Sequence, residues 1–165
     1  MSRQVEQVII GVDPHKLSAT IEVVDLREQL LGSGRFTTDR AGYAAMLKYV
    51  ESWPHRLWAV EGSNGAGRPL AQRLVAAGEH VVDVPAKLAA RVRLFDTGHN
   101  RKTDARDAHS IAIVAVRTSG LRVLADDAEP GPVASYDRRR APTIFRGFCA
   151  SPSVGGPSIV PRDCP

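Results

Sequence analysis

The sequence predicts an α/β domain with one mixed, five-stranded sheet flanked by helices, followed by a disordered carboxyl-terminal tail. Two observations predict the domain. Short β-branched runs alternate with segments of helical period up to about residue 117, and the first three runs are joined by links too short for a helix. A third observation predicts the tail, because hydrophobic periodicity ends at about residue 124, where proline, glycine and serine become frequent.

The five predicted strands are short, and most are rich in β-branched residues and bounded by turn residues. The first ends at Asp13-Pro14, a dipeptide that is typical of turns. The second and third follow through short connections and therefore form two hairpins. The strands are expected at residues 8–13, 19–25, 29–36, 57–61 and 80–84.

Four helices are predicted from apolar residues at helical spacing and from the residues at their ends. Thr38 or Asp39 caps the first, and Gly78 supplies a left-handed carboxyl-terminal cap for the second. Pro85 opens the third, and Thr103 caps the fourth. The helices are expected at about residues 39–49, 68–77, 85–95 and 104–117.

The order of these elements predicts an RNase H-like fold, with three hairpin-linked strands followed by alternating helices and strands. The folded domain is expected over residues 5–121. Seven of the eleven prolines follow residue 125, so residues 125–165 are expected to form a disordered or non-native tail. The basic run at residues 137–140 is expected to be solvated.

Bulk composition sets weaker limits. The formal net charge of +4 slightly favours a polyanionic partner, whereas an aromatic content of 5% argues against a base-stacking single-strand binder. No apolar stretch approaches the ~20 residues that span a bilayer. Cys149 and Cys164 both fall in the tail and do not suggest a disulfide framework. A cytoplasmic protein without membrane contact is therefore expected.

Four carboxylates are candidate site residues. In this fold the first and fourth strands are parallel neighbours, so Asp13 and Glu61 at their carboxyl ends are expected to lie side by side. Asp104 and Asp107 are three residues apart at the start of the last helix and share one face. Each has a structural alternative: turn initiation, a solvated strand end, or a favourable interaction with the helix dipole.

Four carboxylates that converge without basic partners repel one another unless a divalent cation neutralises them. Carboxylate oxygens suit Mg²⁺ or Mn²⁺, and two such ions about 4 Å apart support phosphodiester cleavage. The sequence therefore predicts a two-ion centre for phosphoryl transfer. Repulsion also predicts that Asp13→Asn or Asp104→Asn leaves the fold intact or slightly more stable, with weaker ion binding.

Three motifs carry a family resemblance: GVDPHK at residues 11–16, VEGSNGAG at 60–67 and NRKTDARDA at 100–108. Together they resemble the DEDD transposases of the insertion-sequence-110 type, over about residues 8–117. The resemblance implies an amino-terminal RuvC-like domain that acts in DNA transposition and recombination. It also implies that the four acidic residues bind the catalytic ions, here Asp13, Glu61, Asp104 and Asp107.

The same resemblance suggests nucleic-acid contacts. His15, Lys16, Lys102 and Arg106 lie in or beside the family motifs and are candidates for contacting phosphate. A second group lies around the helix after the fifth strand, where a solvated face is the alternative reading. This group consists of Lys87, Arg91 and Arg93.

Related transposases continue into a second domain with a serine nucleophile, and the family is tied to a structured guide RNA. The sequence after residue 124 does not look like that domain, so the chain is expected to be truncated or frame-shifted and incomplete as a recombinase. DNA, a guide RNA and a full-length transposase as an oligomeric partner are the implied partners. The alternative is a non-catalytic, nucleic-acid-binding or regulatory transposase remnant.

Other functions fit parts of the sequence. Residues 62–69 follow a strand and precede a helix, as in a P-loop NTPase, but Arg68 and Pro69 replace the lysine and the hydroxyl residue. An actin-like sugar kinase shares the topology but needs a second related domain. A serine or cysteine hydrolase is disfavoured because Ser63 lacks a nucleophile-elbow pattern and both cysteines lie in the tail.

Overall fold

The computed structural model describes residues 7–95, 104–125 and 135–136. In this part of the chain, seven strands form one sheet and four α-helices pack against it. The strands are β1 (Val8–Pro14), β2 (Ser18–Asp25), β3 (Leu30–Thr37), β4 (Arg56–Glu61), β5 (Val81–Val84), β6 (Leu121–Leu124) and β7 (Ser135–Tyr136). The helices are α1 (Arg40–Tyr49), α2 (Arg68–Ala76), α3 (Ala86–Phe95) and α4 (Asp104–Arg117), with a short 3-10 helix at Val50–Ser52.

The sheet is mixed, as the sequence predicts, and its strand order is β3-β2-β1-β4-β5-β6-β7. The first three strands pair antiparallel, and β1, β4 and β5 run parallel. The α/β class is therefore confirmed. The predicted strand count is wrong, since two further strands extend the sheet beyond β5.

Each of the two extra strands is short. Strand β6 has four residues, three of which pair with β5, and it directly follows Gly120, whose φ of +82° marks a turn. In β7 only two residues pair with β6, inside the segment expected to be a tail. Strands this short form by pairing with residues that are distant in sequence. The local sequence therefore contains little pattern that would predict them. Apart from Ala125 and β7, the predicted tail lies outside the described residues.

Local chemistry explains the helix ends. The Asp39 side chain accepts a hydrogen bond from the Gly42 N–H at 2.7 Å, so Asp39 rather than Thr38 caps α1. That hydrogen bond holds the pKa of Asp39 below its ordinary value, assisted by the Thr37 hydroxyl. Gly78 follows α2 with a φ of +81°, as predicted for a left-handed cap. The predicted cap Thr103 lies outside the described residues.

The core has two layers, one on each face of the sheet. One face packs against α1 and α2 and includes Val12, Trp58 and Leu74. The opposite face packs against α3 and α4 and includes Ala59 and Ile111. Because successive strand residues point to opposite faces, each strand contributes to both layers. The fully buried parallel strands are accordingly almost continuously apolar.

Helix α4 lies unusually close to β1. A Cβ atom added to Gly11 would stand 2.1 Å from the Ala108 carbonyl oxygen and 2.7 Å from the Ala112 backbone nitrogen. Only glycine permits this approach, since both atoms belong to the helix backbone. Gly11 therefore fixes the height of α4 above the end of β1.

A polar network closes the opposite end of the sheet. The Glu79 carboxylate accepts hydrogen bonds from Arg56 Nε at 2.9 Å and from Trp58 Nε1 at 2.8 Å. Arg56 also donates to the Trp53 carbonyl at 3.1 Å. The indole nitrogen and the guanidinium are thus satisfied where β4 begins, far along the strand from Glu61.

Within the described ranges, no helix has both the length and the apolar character needed to cross a membrane.

Candidate functional site

Asp13 and Glu61 lie at the carboxyl ends of neighbouring parallel strands, as predicted. The register aligns Gly11 with Ala59 and Val12 with Val60, which places the two acidic residues at the same level. Both lie two residues beyond positions that face α4, so strand alternation directs both carboxylates toward α4. The sheet therefore brings these two side chains to one edge and one face.

Asp107 joins them from α4. It lies one turn after Asp104, the first residue of that helix, and its side chain is 8% exposed. The helix backbone is anchored over β1 at Gly11, which places Asp107 above the carboxyl end of the sheet. The side chain of Asp104 and all of Lys102 lie outside the described part of the chain.

Arg93 of α3 connects the carboxylates. Its Nη1 donates a hydrogen bond to Asp107 Oδ1 at 2.7 Å, and its Nη2 lies 3.7 Å from Glu61 Oε1. Burial acts to lower the pKa of Arg93, but the Asp107 hydrogen bond and the attraction of Asp107, Glu61 and Asp13 outweigh it and raise that pKa. One guanidinium thus interacts with three of the four predicted site residues.

This contact corrects the expectation that the carboxylates converge without basic partners. The sequence predicts that Arg93 belongs with Lys87 and Arg91 on a basic helix face. In the structure Lys87 and Arg91 are exposed, whereas Arg93 is half-buried. Its position four residues after the buried Ala89 was the available signal, because residues four apart share a helix face.

Among residues 7–95, 104–125 and 135–136, no three His, Cys, Asp or Glu side chains are gathered in an arrangement that would hold a metal ion. Asp13, Glu61 and Asp107 are instead related through the Arg93 guanidinium. Near the edge of this group, His15 Nε2 lies 3.4 Å from Asp13 Oδ2. The next residue, Lys16, is exposed.

A second polar pair under α4 was missed by the sequence analysis. Glu22 of β2 is 6% exposed, and its Oε2 lies 2.8 Å from His109 Nδ1. Glu22 is the register partner of Gly11, so the pair ties α4 to the sheet beside the close helix approach. A lone acidic residue within the apolar strand ATIEVVD was the signal for a buried partner.

The remaining predicted contact residues are spread around this edge. Arg106 is half-buried on α4, one residue before Asp107, and its carbonyl accepts a hydrogen bond from the Ser110 hydroxyl at 2.9 Å. Lys87 and Arg91 lie one turn apart on the exposed side of α3. The two lie on the same helix as Arg93, whose side chain points to the carboxylates.

The glycine-rich loop after β4 folds back on itself. The N–H groups of Gly65 and Gly67 both bond to the Gly62 carbonyl, at 2.8 and 3.1 Å, and Arg68 N–H bonds to Gly65. A P-loop directs such N–H groups at phosphate instead. The structure therefore removes the backbone donors on which the NTPase interpretation depended.

Ser63 in this loop is also hydrogen-bonded to other residues of the protein. It lies 5% exposed, and its hydroxyl donates to Asp83 Oδ1 at 2.5 Å. Arg122 lies 3.2 Å from the same hydroxyl and 3.6 Å from Asp83 Oδ2. This network borders a cavity of about 350 Å³ beside α2, on the face of the sheet opposite the carboxylates.

Comparison with known proteins places these features in a family. A family model for DEDD transposases of the IS110 type, described as "Transposase", matches residues 10–130. The chain is also 31% identical over 112 residues to an insertion element IS116 uncharacterized 44.8 kDa protein from Streptomyces clavuligerus. The match covers 68% of this chain but only 28% of that relative.

The fold is also similar to that of solved structures. RuvC of T. thermophilus, solved in complex with a Holliday junction substrate, matches with a TM-score of 0.50 and 20% identity, over 67% of this chain and 94% of that one. The large terminase nuclease of the thermophilic phage G20c matches with a TM-score of 0.47 and 13% identity, over 66% and 81%. The first of these likenesses confirms the expected RuvC-like fold. The matched family model, which spans more than half of the chain, shows that it belongs to the IS110 family of DEDD transposases.

Proposed function

We propose that this chain carries a divalent-metal site for phosphoryl transfer on DNA during transposition. Asp13, Glu61, Asp104 and Asp107 are the residues that would hold Mg²⁺, or Mn²⁺ in its place. The observation that carries the proposal is the Arg93 guanidinium at Asp107, Glu61 and Asp13, which marks this edge of the sheet as a place that attracts positive charge.

The donor chemistry fits such ions. Carboxylate oxygens are the ligands that Mg²⁺ and Mn²⁺ prefer, and Asp13 and Glu61 sit at the ends of adjacent, rigid, buried strands. Asp107 is supplied by a helix whose position over β1 is fixed at Gly11. When bound, two such ions activate a nucleophile and stabilise the leaving oxygen of a phosphodiester.

The protein's own residues orient the substrate around this site. His15 and Lys16 follow Asp13 in the turn after β1, where they can contact a phosphate next to the scissile bond. Arg106 and Lys102 flank the acidic pair of α4 in the sequence and take the same role in the proposal. A phosphate held by these residues would bring the scissile bond to the carboxylate edge.

Lys87 and Arg91 supply a second, non-specific contact to the DNA backbone. Both are exposed on α3, whose other side carries Arg93 to the carboxylates. The charge of +4 for the whole chain is consistent with such a partner. We extend the proposal to a structured guide RNA and to an oligomer with a full-length transposase at the nucleoid, because the chain belongs to the family whose resemblance implies these partners.

Calorimetric titration of Mn²⁺ into the full chain tests the metal site. Wild-type protein is expected to show saturable binding, and Asp13→Asn to bind at least about tenfold more weakly, because it loses an anionic ligand. Glu51→Gln is the matched control, since Glu51 is exposed and follows α1 on the other face of the sheet. Equal affinity in wild type and Asp13→Asn would reject the assignment.

Salt-dependent DNA binding tests the basic face. The double variant Lys87→Gln/Arg91→Gln is expected to reduce the slope of log affinity against log salt by about two, because each residue neutralises one phosphate. Arg40→Gln/Lys48→Gln removes the same charge from α1 and should leave the slope unchanged. The measurement is made in EDTA, so it also reports binding by a non-catalytic remnant, the alternative function. An unaltered slope in the α3 variant would place the DNA elsewhere.

A further inference from the structure

The Arg93 side chain contacts a buried carboxylate, which a solvated surface arginine does not do. The side chain is 31% exposed, and its guanidinium lies 2.7 Å from Asp107 and 3.7 Å from Glu61. The Asp107 carboxylate that it contacts is nearly inaccessible. A buried carboxylate without a cationic or hydrogen-bonding partner is costly, and the contact with Arg93 supplies that partner to Asp107.

We propose that Arg93 is a built-in counter-ion that competes with divalent metal for the carboxylates. The inference rests on the proposed metal site and adds a regulatory residue to it. In the metal-free chain, the guanidinium neutralises part of the charge of Asp107, Glu61 and Asp13. An incoming ion must take over the oxygen of Asp107 to which Arg93 donates its hydrogen bond.

The competition follows from the contacts. Asp107 Oδ1 accepts from Arg93 Nη1 at 2.7 Å, the distance of a strong charge-assisted hydrogen bond. A ligand oxygen in that bond is available to a metal only when the guanidinium withdraws. The measured ion affinity is therefore reduced by the fraction of molecules in which Arg93 has moved away.

The arrangement makes Arg93 able to move. It lies in the last turn of α3, and its long side chain reaches the carboxylates from an element separate from those that carry them. Asp13 and Glu61 are fixed on strands, and Asp107 is fixed on a helix anchored at Gly11. The cation is thus carried by a long side chain near the end of α3, whereas the backbones of the anions are held by the sheet and by the anchored helix.

The test compares Arg93→Gln with wild type by calorimetric Mn²⁺ titration and by thermal unfolding in EDTA, using the full chain. Arg93→Gln is expected to bind Mn²⁺ about tenfold more tightly, because the competing cation is gone. Its metal-free melting temperature is expected to fall, and Mn²⁺ is expected to raise that temperature by more than in wild type.

Two further variants sharpen the result. Arg40→Gln removes the same charge from the exposed start of α1, on the other face of the sheet, and should bind Mn²⁺ as wild type does. Arg93→Lys keeps the charge but not the planar fork, so its affinity should lie between those of wild type and Arg93→Gln. Arg93→Lys also carries the test if Arg93→Gln does not fold.

The outcomes separate this inference from the proposed function. Saturable Mn²⁺ binding in wild type with equal or weaker binding in Arg93→Gln would overturn the role of Arg93 and leave the metal site standing. Equal strengthening in Arg40→Gln would also overturn it, since the effect would then be one of net charge. Absence of saturable binding in all variants would overturn the metal site and the counter-ion role together.

Discussion

Replacing Gly11 by alanine is expected to lower the free energy of unfolding by about 3 kcal/mol, at the upper end of the usual effect of overpacking. The new Cβ atom would stand 2.1 Å from the Ala108 carbonyl oxygen and 2.7 Å from the Ala112 backbone nitrogen. Both are backbone atoms of α4, so no side-chain rotation relieves the clash. The helix as a whole must move away from β1.

Equilibrium unfolding in urea measures this effect, and Gly65→Ala is the matched control. A Cβ atom at Gly65 would find its nearest neighbour at 3.7 Å, an ordinary contact, so a change within about 0.5 kcal/mol is expected. Displacement of α4 also moves Asp107, and Gly11→Ala should therefore bind Mn²⁺ more weakly. Equal stability of the two variants would mean that α4 does not lie on β1 as described.

Replacing Asp107 by alanine is expected to lower the stability of the metal-free protein by about 2 kcal/mol and to abolish saturable Mn²⁺ binding. Breaking a buried ion pair costs about 3–5 kcal/mol. We expect less here because Arg93 is 31% exposed and water partly replaces its partner. Repulsion among carboxylates would give the opposite sign, as it does in the sequence-based prediction for Asp13→Asn and Asp104→Asn.

A double-mutant cycle isolates the contact. Urea unfolding in EDTA of Asp107→Ala, Arg93→Gln and the double variant should give a coupling energy of about 1 kcal/mol or more between the two residues. Asp107→Asn is an informative companion because it keeps the volume and one oxygen acceptor, and it should lose less stability than Asp107→Ala. Additive effects of the two single variants would contradict the hydrogen bond between them.

Much of the fold could be predicted because its signals are local. Residues 8–13 form a short apolar run ended by Asp-Pro, and Gly78 has the left-handed conformation that ends α2. The proximity of Asp13 and Glu61 required one further step, from strand order to parallel neighbours. Topology supplied that step, since parallel strands end at the same edge of the sheet.

The contacts that could not be predicted join residues far apart in sequence. Arg93 and Glu61 belong to separate elements, and the sequence around either residue does not predict its contact with the other. The pair formed by Glu22 and His109 is similar, because only the packing of α4 on β2 brings its members together. The sequence does not distinguish a buried charged residue from a solvated one, because tertiary packing determines its exposure.

In the loop after β4, a local sequence pattern resembles a functional motif whose hydrogen bonds the structure does not have. Its glycines are spaced as in a phosphate-binding loop, and the strand and helix around it are in the expected places. The chemistry of such a loop depends on where its N–H groups point, and here the Gly62 carbonyl accepts two of them. Glycine spacing sets the flexibility of the backbone but not its hydrogen bonds.

The two-residue strand β7 pairs with backbone groups of β6 that would otherwise be open at this edge of the sheet. It covers the outer side of β6 by pairing Ser135 with Arg122 and Tyr136 with Leu121. A fragment that stopped at residue 124 would leave β6 with open backbone donors and acceptors, and one that stopped at residue 121 would leave β5 open in the same way. An open strand edge is a template for chain-to-chain aggregation. We therefore expect self-association of such fragments, and we place the practical boundary of the folded unit beyond residue 136.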